Sequence, residues 1–336
     1  MGMVKYGHLE NIDFIKGLAT ISVILLHTLP RNILYYSLAV YHIWQAVPIF
    51  LFITFFLSFR NFESKTVTFK EYYSNDKIKK IFIKLWLPLI ILAVFETVFF
   101  IIIGNKSKAI GSLLCIGNGP GSYYIWCYMQ IWLLIPFIYL ILKRFNIVAG
   151  GGILLITSVL CDFIYGKYIG YFHGYTCFRY IFLSVPAFMC LKGFKIKETI
   201  FFILLSVVYL PLILYNKVPT CVYFILPNGW ECQTSFGFFY TLLLFGLLSK
   251  CYDKIKKRKI AKYITYIGTI SWEVFLVQMV LIGSGAVNFV SAKLFQSTYL
   301  QISFNIVVIL SISLLLVELY KRLMSAIIYY YKLTQE

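Results

Sequence analysis

The chain has 336 residues, of which 60% are hydrophobic, 19% aromatic and 13% charged, and its mean hydropathy is +0.82. A water-soluble domain of this length cannot hide that much apolar surface, so composition excludes one and indicates an integral membrane protein. The formal net charge of +18 does not point to nucleic acid, because the basic residues lie almost entirely in short segments between apolar runs. Charges that fix membrane orientation belong there.

The apolar runs have the length a helix needs to cross the hydrocarbon core, roughly 17–25 residues. They lack the two-residue alternation of outer-membrane strands, which excludes a β-barrel. The expected fold is all-α and polytopic, with about ten transmembrane helices. In chain order they occupy 12–30, 40–59, 83–104, 122–142, 147–166, 176–192, 198–216, 234–249, 262–284 and 301–321. The linkers at 60–82, 143–146, 193–197 and 250–261, with both termini, hold most of the basic residues, including KIKK at 77–80 and KIKKRK at 254–259. The alternate linkers hold only Arg31, Lys106, Lys108, Lys167, Lys217 and Lys293. This alternation obeys the positive-inside rule at every turn, and an even number of spans then places both termini in the cytoplasm. The expectation is a multi-pass protein of the plasma (inner) membrane, one transmembrane domain over 1–336 without a soluble accessory domain.

The first run reads as a retained span, since it is long and ends in Leu29, Pro30 and Arg31 without a small-residue cleavage site. No internal repeat is visible, which argues against a transporter built from two related halves. The longest outer linker, 216–235, carries its own apolar residues and is expected to fold over the bundle. The eight cysteines show no zinc-like spacing, and no metal site is expected. Cys221 and Cys232 share that outer linker, and both a disulfide and two thiols remain open for them.

Ionisable groups inside spans are costly and mark functional or bundle-facing positions. In the first span Lys16 and His27 are eleven residues apart. That is about three turns, so they share one face, separated by roughly 16 Å along the axis. Asp13 and Thr20 lie on or near the same stripe. With the N-terminus inside, Lys16 stands at the cytoplasmic end and His27 in the outer half. Other spans bring polar groups to a similar depth: Glu96 on the third, Gln130 on the fourth, Arg179 on the sixth and Gln278 on the ninth, with His42 opening the second and Asp162 on the fifth. Each of these also reads as a hydrogen-bonded packing residue. His27, an imidazole aligned with a cation, reads as functional.

The stretch IDFIKGLATISVILLHT at 12–28 resembles the first-span signature of the integral-membrane acyltransferase-three family, the sugar O-acetyltransferases of bacterial envelopes. In that pattern an Asp, two intervening residues, a basic residue and a Gly precede a His, here Asp13, Lys16, Gly17 and His27. Further segments resemble the family in order: VPIFLFITFFLSF at 47–59, KKIFIKLWLP at 79–88, YYIWCYMQIWLLIP at 123–136 and ISWEVFLVQ at 270–278. The resemblance covers essentially the whole chain. Three positions depart from it. Lys16 replaces the more usual Arg, so a bidentate phosphate grip becomes a point-charge contact. Thr54-Phe55 stands where the family has Ser-Gly, and Gln278 stands where a His is often found.

The resemblance implies acyl transfer, commonly acetyl from acetyl-CoA, to a sugar hydroxyl. Lys16, Lys80 and Lys84 are the candidates to hold the donor's phosphates, and His27 to take the proton from the attacking hydroxyl as general base. An acyl-histidine intermediate is the second route. Arg179, Gln130, Glu96, His42 and Gln278 are candidates to hold the acceptor or the developing oxyanion. The implied partners are a glycan or lipid-linked saccharide acceptor, membrane lipids and envelope-glycan assembly proteins, with no nucleic acid. A polysaccharide exporter or flippase on the same scaffold is the alternative, favoured by the departures at Thr54-Phe55 and Gln278.

Overall fold

Each apolar run expected to cross the membrane is helical over most of its length, and no strand occurs among the described residues. The computed structural model describes residues 9–64, 67–114, 119–168, 175–194, 196–214 and 233–333. Cys221, Cys232, most of the 216–235 linker and the side chain of Asp162 lie outside the described set.

The helices used below are α1 (Glu10–Thr28), α2 (Ala46–Glu63), α3 (Leu87–Ile102), α4 (Lys106–Leu113), α5 (Tyr123–Arg144), α6 (Asn146–Tyr168), α7 (Ser184–Leu191), α8 (Ile196–Leu214), α9 (Phe238–Ile255), α10 (Lys259–Thr269), α11 (Ser271–Ser284), α12 (Ala286–Leu294) and α13 (Thr298–Leu333). Among the described residues five helical stretches are long and apolar enough to cross a membrane: Ala39–Glu63, Phe69–Ile102, Tyr123–Arg144, Ser235–Ile255 and Thr298–Ala326. The pair α10 and α11, bent by 79° at their junction, makes a sixth if taken as one broken span. Two of the other expected spans differ for identifiable reasons. α1 holds Asn11, Asp13, Lys16, Thr20 and His27 within its 19 residues, which lowers its hydropathy. Phe178–Leu191 is a shorter apolar helix, and it begins as a 3-10 turn over Phe178–Leu183.

Local sequence explains one irregularity. Pro88 has no N–H to offer the carbonyl four residues earlier, and its ring crowds that carbonyl. The turn just before it, Phe82–Trp86, accordingly widens into a π-helix around Lys84.

The chain falls into two compact units. The first holds residues up to Val23, Pro30–Lys77 and Tyr123–Gly268; the second holds Ile24–Leu29, Ile78–Ser122 and Thr269 onward. In the first unit the core is aromatic. Phe52, Phe55 and Phe59 of α2 are wholly buried. Phe52 meets Phe245 of α9 with ring centroids 4.9 Å apart, and Phe59 meets Tyr139 of α5 and Phe188 of α7 at 5.7 and 5.8 Å. Phe55 therefore fills, with a core side chain, the position where the family pattern has glycine.

In the second unit α11 and α13 run antiparallel. Ile270, Val274 and Val277 pack with Leu314 and Val317. Further along, Leu281 and Ile282 pack with Val308, Ile309 and Leu310, and Ile24 of α1 joins this second cluster with Val287 of α12. α3 and α4 fold against each other through a buried contact in which Ser112 Oγ donates to Glu96 Oε2 at 2.9 Å.

Candidate active site

α1 is one unbroken helix, so the spacing of Lys16 and His27 holds as read: three turns apart on a common face. Its first turns are anchored within the first unit. Tyr252 of α9 donates to Glu10 at 2.5 Å, and its ring lies 5.3 Å from that of Phe14. Lys16 Nζ sits 2.6 Å from Asp13 Oδ1, the one-turn pairing that their spacing implies. Asp13 is buried while the Lys16 side chain is a quarter exposed, so the ion pair opens outward through the ammonium.

The glycine of the motif has a packing role. A Cβ on Gly17 would land on the carbonyl oxygen of Ile264, and one on Gly268 would land on the carbonyl oxygen of Asp13. α1 and α10 thus cross with backbone against backbone, at two glycines distant in sequence. Only residues without a Cβ permit this approach. The crossing sits directly on the turn that carries Asp13 and Lys16.

His27 occupies the last turn of α1, in the second unit. Its ring is half-buried and makes no hydrogen bond among the described residues. Three residues earlier on the same helix, Ile24 is buried in the cluster with Val287 and Ile309, which fixes the helix end that presents the imidazole. Thr28 Oγ1 bonds back to the Ile24 carbonyl at 2.8 Å.

The other sequence-predicted residues divide between structural and buried polar positions. Gln130 uses both ends of its amide on the backbone: Nε2 donates to the Tyr175 carbonyl at 2.8 Å, and Oε1 accepts from Cys177 N–H at 3.0 Å. It splints the segment leading into the Phe178–Leu183 turn onto α5. His42 is exposed and its Nε2 lies 2.8 Å from the Ser37 carbonyl, a local turn contact. Lys80 and Lys84 are exposed in the second unit. Glu96 is buried and accepts from Ser112.

Arg179 is buried on the 3-10 turn of the first unit, among groups that sequence reading passed over. Ser158 of α6 donates to the Phe178 carbonyl at 2.9 Å and pairs with Ser235 at 3.0 Å. Tyr180 donates to Gln233 at 2.5 Å. The guanidinium charge acts on Tyr123, Cys127 and Tyr180. In a chain with 27 tyrosines, Tyr123 and Tyr180 carry no signal that separates them from lipid-facing rings.

Gln278 is 1% exposed, and among the described residues neither of its amide atoms has a hydrogen-bond partner. The antiparallel register of α11 and α13 puts it level with Ser313, whose buried hydroxyl likewise lacks one among the described residues. Two turns along α13, Asn305 donates to Asn288 at 2.8 Å while its own Oδ1 has no partner among the described residues. The eight-residue spacing of 305 and 313 was legible, but isolated small polar residues in an apolar helix resemble ordinary packing groups. A buried polar group without a partner costs about 1–3 kcal/mol. Gln278→Leu is therefore expected to raise the thermal unfolding temperature of the purified protein. Lost acyl transfer alongside that gain in stability would mark Gln278 as held for a ligand rather than for the fold.

These features define a polytopic helical membrane protein with a cation and an unengaged imidazole on one helix. The family model described as an acyltransferase domain matches residues 9–318. The chain belongs to that family, acyltransferase three, and is a membrane acyltransferase. No curated protein and no solved structure matches it significantly.

Proposed function

We propose that the protein moves an acyl group, acetyl in the first instance, from cytoplasmic acyl-CoA to a hydroxyl of a cell-surface glycan or lipid-linked sugar. The reading includes ten spans, both termini in the cytoplasm and residence in the inner membrane, supported by the alternation of basic linkers. The observation that carries it is α1: a partly exposed Lys16 and, three turns further, a His27 ring with no hydrogen bond among the described residues. Lys16 meets the donor's phosphates as a point charge. His27 takes the proton of the acceptor hydroxyl as its oxygen bonds to the thioester carbonyl carbon. The carbon–sulfur bond then breaks, and the imidazolium returns the proton to the departing CoA thiolate.

The test is transfer of labelled acetyl from acetyl-CoA to envelope glycans by the purified chain, with glycan O-acyl content compared in cells with and without it. Unchanged O-acylation in cells lacking the chain would overturn the proposal. Lys16→Ala is expected to raise the KM for acetyl-CoA about tenfold, the loss of one charge-assisted phosphate contact. An unchanged KM would remove Lys16 from the donor site.

A further inference from the structure

The α10 helix presents two different faces. Ala261 and Gly268 are buried on one side, and Gly268 meets the backbone of α1 at Asp13. On the opposite side Tyr263 is 71% exposed and Tyr266 43%, and Ile260 in the first turn is 61% exposed. Residues spaced by three follow one side of a helix. Lys259 and Lys262, both exposed, lie on this same side of the helix.

The strip also continues a dense run of charge. Lys254, Lys256, Lys257 and Arg258 precede it, and the acid within the run is Asp253, an exposed residue 3.5 Å from Lys256. Exposed aliphatic and aromatic residues set among lysines are the composition of a helix that lies in a membrane interface, which would make α10 the interfacial arm of the ninth expected span and α11 its crossing part. Tyrosines favour the headgroup level, and lysines lay their stems on apolar surface while the ammonium reaches outward. The excess positive charge selects the sign of the headgroups.

We propose that the outer face of α10 docks on anionic lipid headgroups of the leaflet faced by the basic linkers, and that this docking steadies the α1 turn bearing Asp13 and Lys16. The link is the Gly17–Gly268 crossing, where the backbones touch and no flexible side chain intervenes to absorb a displacement. The second half of the inference rests on the donor role proposed for Lys16; the first half does not.

The test uses the full chain in nanodiscs of phosphatidylcholine alone or with phosphatidylglycerol. Backbone amides of 259–269 are expected to exchange more slowly in the anionic discs, by about fivefold for each lysine engaged. The KM for acetyl-CoA is expected to fall in the same discs. Lys259→Gln with Lys262→Gln should remove the lipid dependence of exchange, and Lys259→Glu with Lys262→Glu should invert it. Equal exchange of wild type in both discs, or a full lipid response in the Gln pair, would overturn the docking. Altered exchange with an unaltered KM would overturn the coupling to Lys16. A KM raised equally in both discs by the Gln pair would assign these lysines to the donor's phosphates and overturn the lipid assignment. If wild type transfers no acyl group in either disc, the proposed donor role fails while the exchange measurements still decide the docking.

Discussion

His27→Ala is expected to lower acyl transfer by about 10²–10⁴-fold, the range that a positioned general base contributes. The argument rests on what the ring is not used for. Among the described residues His27 makes no hydrogen bond, whereas Gln130 spends both ends of its amide on the backbone and His42 closes a local turn. The helix end beneath His27 is held by Ile24 in its buried cluster, so removing the imidazole need not disturb the fold. Donor binding should persist in His27→Ala, with the loss falling on kcat. Single-turnover transfer from labelled acetyl-CoA measures this directly, and full activity in the variant would rule out the catalytic role. The same variant separates the acyltransferase from an exporter on this scaffold: the amount of surface glycan should hold while its O-acyl content falls.

Gly268→Ala is expected to destabilise the protein by about 3 kcal/mol, at the upper end of the cost of overpacking. In a helix with room, replacing Gly by Ala instead stabilises by about 1 kcal/mol, so the sign itself is informative. Gly246, within α9, supplies the control: an added Cβ there meets none of the described residues within 4 Å. Gly246→Ala should therefore raise the unfolding temperature in detergent and Gly268→Ala should lower it. Gly17→Ala should behave like Gly268→Ala, because its Cβ meets the Ile264 backbone rather than a movable side chain. Both crossing variants should also raise the KM for acetyl-CoA, since the displaced turn bears Lys16. Equal stability changes for Gly246→Ala and Gly268→Ala would refute the close crossing.

Much of this protein was legible in the order of its residues. The all-helical class follows from apolar runs without alternation, because a chain in lipid must satisfy its backbone within each segment. The face shared by Lys16 and His27, and the pairing of Lys16 with Asp13, follow from the 3.6-residue repeat alone. Length was the weaker guide. Among the described residues five to six helices qualify by length and composition where ten were expected: α1 is more polar than a plain span, and the apolar stretches Asn146–Cys161 and Phe178–Leu191 are short.

Contacts between distant segments decided the rest. Gly17 was visible as a motif residue, but its reason, Ile264, lies far along the chain. Gln130 could have faced a substrate until the fold placed the carbonyl of Tyr175 and the N–H of Cys177 against it. Gln278 and Ser313 share a level through the register of α11 and α13, which no local pattern specifies. Periodicity and hydropathy are properties of neighbours in sequence, and they fix which face of a helix is polar. Which backbone can approach that face, and which buried amide finds a partner, depends on packing between helices.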